Sequence, residues 1–183
     1  EKLELHKNLT LDYYDSNHFN SALEELKLIL KIEKNNEWAL TEMVKIYREQ
    51  QNWKKSGEYL DKYQRLTRKI DKHKLALYKI QEGRCLIGKK KFEEARSTFE
   101  ESLSIYNDLA VAYYFIGNAY SSESEEAYQQ SIKQEEITKT DEVNTKTQMH
   151  KAEELLGKAI PMWIRYAELK PKQAWMVIHL LKD

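Results

Sequence analysis

Five histidines, one cysteine and two neighbouring glycines are the residues of this chain from which catalytic or metal chemistry would first be built. His6, His18, His73, His150 and His179 include no i,i+4 pair and no His-Glu-x-x-His, the spacing that puts two imidazoles on one helix face for zinc. They read as surface or partly buried helix residues. Cys85 stands alone, so no internal disulfide and no paired-cysteine zinc site can form, and without a histidine context it reads as a packing residue. Gly83 and Gly88 have no strand before them and no Gly-Lys-Ser/Thr after them, so they do not make a phosphate loop. The Asn8-Leu9-Thr10 sequon falls inside a helical pattern and reads as coincidence. Carboxylate pairs such as Glu24-Glu25, Glu93-Glu94 and Glu153-Glu154 read as solvated helix faces. No catalytic residue, metal site or cofactor is expected, and the chain is read as not an enzyme.

The elements that would position any site are helices. Seven Gly and Pro among 183 residues leave few turn punctuators for a sheet, while Glu, Lys, Leu, Gln and Ala supply helix formers throughout. Thirty basic residues balance thirty acidic ones, so there is no overall cationic footprint for nucleic acid, and none is expected as a partner. No apolar run reaches 18 residues, and no secretory leader is visible. The visible chain reads as a soluble domain with the cytoplasm as its expected compartment. It opens Glu1-Lys2-Leu3 in helical rhythm and is read as a fragment; membrane tethering, or a periplasmic location, would depend on a segment outside it.

Self-similarity appears at a spacing of 34 residues. Unit one, residues 3–36, has Leu9 and Tyr13 on a first helix, a turn at Asn17-His18-Phe19, then Ala22, Leu26, Ile29 and Leu30 on a second. Unit two, residues 37–70, repeats this with Met43, Tyr47, the turn Gln51-Asn52-Trp53, Ser56, Leu60 and Tyr63. Unit three, residues 76–109, carries Gly83, Leu86, Phe92, Ala95 and Phe99; the five residues Asp71 to Leu75 before it are expected to lengthen the preceding helix. Unit four, residues 110–171, starts with Tyr113, Ile116, Gly117, Ala119 and Tyr120, and its second half reappears late with Ala159, Trp163, Tyr166, Ala167 and Pro171.

This pattern resembles the tetratricopeptide repeat family over nearly the whole chain. That family has Gly at position 8, Tyr at 11, aromatics at 17 and 24, and Ala at 20. Here position 20 is Ala22, Ser56, Ala95 and Ala159, and position 17 is Phe19, Trp53 and Phe92, while position 8 departs to Thr10 and Val44 in the first two units. The resemblance implies an all-α, right-handed superhelix of helix pairs (an α-solenoid), a single domain, and a non-enzymatic scaffold or adaptor that binds an extended or helical protein segment in a concave groove. Its groove positions fall on Lys7, Leu11 and Tyr14, then Trp38, Thr41, Lys45 and Arg48, then Leu77, Ile80 and Arg84, then Val111, Tyr114, Asn118 and Ser121. Cations beside aromatics suit a protein segment with acidic groups; ordinary groove residues without strong preference are the other reading. The family's carboxylate clamp is disfavoured, because Lys7 is followed by Leu11, Glu42, Leu77 and Gln81 where the clamp needs Asn, Asn, Lys and Arg. A looser likeness, through Ala39-Leu40…Ile46-Tyr47…Trp53-Lys54-Lys55 and Phe92-Glu93-Glu94-Ala95-Arg96, is to the repeat region of lipopolysaccharide-assembly protein B, which implies as alternative a regulatory or assembly subunit of a membrane-envelope process.

Residues 124–154 interrupt unit four. They are polar and rich in helix formers, so they are read as a helical hairpin with its tip near Thr140 to Asn144, a disordered loop being the alternative. A break near Ser121-Ser122 would make the rising arm a separate helix. Pro161 removes a helical hydrogen bond and crowds the carbonyl of Gly157, which predicts a kink between them, or else a helix start at Pro161. Residues 174–182 continue the period as a terminal half-repeat helix that is strongly apolar, so Trp175, Ile178 and Leu181 are expected to contact a second copy or another partner.

Overall fold

A computed structural model describes residues 1–137 and 142–181, with side chains of 134–144 and 181–183 outside the description. Among the described residues every regular element is helical: α1 (Lys2–Asp15), α2 (Phe19–Ile32), α3 (Glu37–Glu49), α4 (Trp53–Thr67), α5 (Lys72–Gly88), α6 (Phe92–Ile105), α7 (Ala110–Ile137), α8 (Glu142–Leu169) and α9 (Trp175–Ile178). The chain divides into two compact units, Glu1–Lys79 and Ile80–Asp183, with the division falling inside α5.

The 34-residue rhythm is visible in the backbone. Asn17, Gln51 and Lys90 are left-handed, at φ 59°, 55° and 59°, and each ends a first helix. The next amide closes each turn: His18 N–H donates to Tyr13 O at 2.8 Å, Asn52 N–H to Tyr47 O at 2.8 Å, and Lys91 N–H to Leu86 O at 2.9 Å. This six-to-one bond satisfies a carbonyl that a helix end leaves unpaired. Starts are fixed by side chains as well, since the Asn36 carbonyl oxygen accepts from Ala39 N–H at 2.9 Å and that of Asn52 from Lys55 N–H at 3.2 Å.

In the first unit α1 packs on α2, α2 on α3 and α3 on α4. Ala22, Leu26, Ile29, Ala39, Met43 and Ile46 are fully buried between them. Ser56, small at the crossing point, donates from its hydroxyl to Val44 O at 2.7 Å and so hides its polar atom between α3 and α4. The five extra residues do not lengthen α4. Arg68 turns left-handed at φ 56°, Lys69 N–H closes on Gln64 O at 3.0 Å, and the Gln64 side-chain carbonyl accepts from Asp71 N–H at 2.8 Å. Asp71 then caps Lys74 N–H at 2.8 Å, so most of the insertion becomes the first turn of α5.

The second unit packs α6 on α7 and α7 on α8. Its two repeat glycines lie against large rings: a Cβ at Gly83 would stand 2.3 Å from Phe99 Cε1, and one at Gly117 would stand 2.4 Å from Trp163 Nε1. The first unit has the reverse pairing, Thr10 with Leu26 and Val44 with Leu60. Wherever position 8 has a side chain, position 24 is therefore a leucine, and wherever it has none, position 24 is an aromatic ring. Interior packing at near-crystalline density leaves room for only one of the two to be large.

The interruption of unit four is helical on both sides. Helix α7 runs through Ser121 and Ser122 without a break and α8 begins at Glu142; the expected tip falls on residues outside those fully described. Small residues form the seam between the arms. Ser124, Ala127 and Ser131 on α7, and Thr145 and Ala152 on α8, are all buried, and Ser124 Oγ donates to Ala152 O at 2.7 Å. Close backbone approach supplies the contact that the few large apolar residues do not. Pro161 lies inside α8, so no helix starts there.

Residues 174–181 depart from the single helix expected over 174–182. Pro171–Gln173 is a 3₁₀ turn, α9 is one turn long, and His179–Leu181 is again 3₁₀. Only Val177 of α9 is buried. One buried side chain gives a terminal helix little packing to hold its ladder against fraying.

Candidate functional site

Helices α1 and α3 carry the side chains of the first unit's expected groove at heptad offsets. Lys7, Leu11 and Tyr14 lie along one stripe of α1, and Trp38, Thr41 and Lys45 along one stripe of α3. The structure joins them in two rungs. Lys7 Nζ stands 5.8 Å from the Trp38 ring centroid, and Lys45 Nζ stands 4.0 Å from that of Tyr14. Tyr14 is itself held by Phe19, ring to ring at 5.6 Å. The rungs are seven residues apart on both helices, roughly 10 Å at 1.5 Å per residue. Between them sit Leu11, 44% exposed, and Thr41, whose hydroxyl donates to Trp38 O at 2.8 Å.

Carboxylates that the sequence pattern did not single out stand beside these cations. Glu4 lies 3.7 Å from Lys7, Glu42 3.4 Å from Lys45 and Glu49 3.9 Å from Arg48. Each partner precedes or follows its cation by three residues or one, a spacing visible in sequence once the face is known. The face is therefore amphipathic and close to neutral rather than basic. Leu77, on α5, is 36% exposed.

The second unit places its expected residues less uniformly. Ile80 is 2% exposed and belongs to the core; it is not available to a partner. An apolar β-branched side chain gains more from burial than from a groove position, and the position rule taken alone missed this. Asn118 is committed inward as well, because its side-chain oxygen accepts the Trp163 indole N–H at 3.1 Å. Arg84 is exposed, bonded to Gln81 Oε1 at 2.9 Å, and lies 5.3 Å from the Phe115 ring. Phe115 stacks on Phe99 at 5.7 Å and was not among the expected site residues. Tyr114, half-buried, packs between Phe115 at 5.2 Å and Tyr166 at 5.4 Å, and Val111 and Ser121 are half-buried. At the C-terminus Trp175 is 70% and Ile178 45% exposed, while the side chain of Leu181 lies outside the described residues.

Burial perturbs the titration of three packed tyrosines. Burial, then Glu58, raises the Tyr47 hydroxyl above its ordinary range; burial, then Tyr47 and Glu58, raises Tyr59; burial, then Tyr114, raises Tyr166. His6, at 2.6 Å from Glu25, and Thr10, fully buried with its hydroxyl on His6 O at 2.8 Å, belong to α1 packing, which sets the Asn8-Leu9-Thr10 sequon inside a helix. Among the described residues no group of three metal-ligating side chains converges, and no helix is long and apolar enough to cross a membrane.

No protein-family model matches the chain, and no curated protein matches it. Solved structures do. A TPR repeats protein from Bacteroides fragilis aligns over 93% of this chain and 92% of its own, with 13% identity and a TM-score of 0.51. MamA from Desulfovibrio magneticus aligns over 94% of this chain and 97% of its own, with 19% identity and a TM-score of 0.39. YrrB, described as a TPR protein with an unusual peptide-binding site, aligns over 97% and 91%, with 16% identity and a TM-score of 0.36. The likeness to the first of these, together with the helix pairs and their repeated turns, gives the chain the tetratricopeptide-repeat fold.

Proposed function

We propose that the protein is a non-enzymatic scaffold that holds a segment of another protein against the face shared by α1 and α3. The supporting observation is the pair of cation–aromatic rungs, Lys7 with Trp38 and Lys45 with Tyr14, framing the exposed Leu11. An aromatic ring covered by an ammonium is preorganised, and large flat side chains that lose little entropy are what binding hot spots are made of. The rung spacing of roughly 10 Å equals seven residues of a helix or three of an extended chain, so a bound segment would place its two anchors at one of those intervals. Because Glu4 and Glu42 already flank the cations, apolar contact with Trp38, Tyr14 and Leu11 dominates, and a carboxylate on the partner adds to it by taking the N–H groups Lys45 leaves open. The exposed Trp175 and Ile178 form a second candidate contact for a partner or another copy.

Selection of a displayed random-peptide library on the immobilised chain tests this reading. Enriched peptides should carry apolar anchors at i,i+7 or i,i+3 and lose at least tenfold in affinity to Trp38→Ala or Lys45→Glu, with helicity and melting retained. Enriched peptides indifferent to both substitutions would place binding elsewhere.

A further inference from the structure

A second recessed site lies in the first unit, away from both rungs. It is a cleft of about 580 Å³ bounded by the end of α2, the start of α3 and the last turns of α4. Its floor is apolar: Leu30, Leu40, Tyr59 and Leu66, with Leu40 only 5% exposed. Its rim is cationic, made by Lys34, Lys62 and Arg65 with the amide of Asn35, and no carboxylate lines it. The ammonium of Lys62 is placed by the Tyr59 ring, 4.6 Å from its centroid, rather than by an acid. Asp61 holds Arg65 through Nε at 2.7 Å, which orients the guanidinium and leaves its terminal nitrogens to other acceptors. A volume in the range of small-molecule sites, an apolar floor and a one-sign rim ask for a ligand with the same division.

We propose that this cleft binds an amphiphilic carboxylate, an aliphatic chain of medium length whose tail lies over Leu40 and Leu66 and whose head is taken by Lys34, Lys62 and Arg65. The chain supplies the affinity by burial against the leucines, and the rim selects the anion over a cation of the same shape. Nothing in this inference rests on the α1/α3 face, so either reading can fail alone.

The test is a two-dimensional amide NMR titration of the full chain with sodium decanoate, sodium octanoate and decyltrimethylammonium. Decanoate should give saturable shifts centred on Asn35, Leu40, Lys62 and Leu66. Octanoate, two methylenes shorter, should bind about tenfold more weakly. Decyltrimethylammonium should leave those amides unmoved. Lys34→Glu with Lys62→Glu should weaken decanoate about tenfold without lowering the melting temperature; if that pair loses helicity, Lys34→Gln with Lys62→Gln makes the same comparison. Equal shifts from the cationic amphiphile, shifts without saturation, or affinity unchanged by either pair of substitutions would overturn the assignment.

Discussion

Replacing Gly83 with alanine sets two well-measured effects against each other. A glycine inside a helix costs about 1 kcal/mol relative to alanine, so propensity alone makes Gly83→Ala stabilising. Packing opposes it. The new methyl would sit 2.3, 2.7 and 2.8 Å from three atoms of the Phe99 ring, and ordinary contact requires that ring to retreat by roughly 1 Å. Phe99 is fully buried and stacked on Phe115 at 5.7 Å, so it has no open side to move into. Overpacking of this kind costs about 1–3 kcal/mol, so after the propensity gain Gly83→Ala is net destabilising, by up to about 2 kcal/mol. Adding Phe99→Leu should reverse most of the loss, because Ala with Leu approaches the pairings already used at Thr10 with Leu26 and Val44 with Leu60. Urea unfolding followed by circular dichroism at 222 nm, run on both single variants and the double, should show a favourable coupling of about 1–3 kcal/mol. Gly157→Ala is the control: nothing lies within 4 Å of its added methyl, and it should gain about 0.5–1 kcal/mol. A stabilised Gly83→Ala, or additive single effects, would refute the claim that positions 8 and 24 share one volume.

Arg96 ties α6 to α7 at the base of the inserted hairpin, bonding Glu123 at 2.6 Å and lying 4.3 Å from the Tyr120 ring, with Lys151 of the returning arm 3.6 Å from the same carboxylate. Arg96→Met should cost about 2 kcal/mol, because Glu123 keeps one cation, and should raise hydrogen exchange in 121–133 and 145–155 more than in α1 to α4. Asn118→Leu leaves the buried Trp163 N–H without its acceptor and should cost about 1–3 kcal/mol in urea unfolding. Tyr47 and Tyr59 keep their protons to higher pH in the folded chain than in the unfolded one. Above an unfolded value of about 10 the unfolded state binds fewer protons, so stability is intact below that pH and falls as pH rises past it. Tyr47→Phe with Tyr59→Phe should flatten that decline in urea unfolding measured from pH 8 to 11.

The turns were the most legible part of the fold, because their chemistry is local: Asn17, Asn52 and their equivalents cap or reverse the chain within a few residues. What the pattern hid depends on partners distant in sequence. Asp71 starts α5 because the Gln64 side chain reaches its amide, a contact no propensity announces. The hairpin looked poor in apolar residues, yet Ser124, Ala127, Ser131 and Ala152 form a tight seam because they are small. On the candidate face, repeat position puts Lys7 and Tyr14 on α1 and Trp38 and Lys45 on α3, but it gives no warning that Ile80 is buried, that Asn118 serves Trp163, or that Glu42 stands beside Lys45. Position within a repeat specifies a direction on a helix; whether a side chain there is free depends on the size and charge of its neighbours.

The decisive measurement for peptide binding on α1 and α3 is to map a selected peptide onto the chain by amide and indole NMR shifts. The largest shifts should fall on Lys7, Leu11, Tyr14, Trp38, Thr41 and Lys45, with the Trp38 indole N–H moving and that of the buried Trp163 still. Shifts centred on α2 and α4, or on the arms of the hairpin, would contradict it.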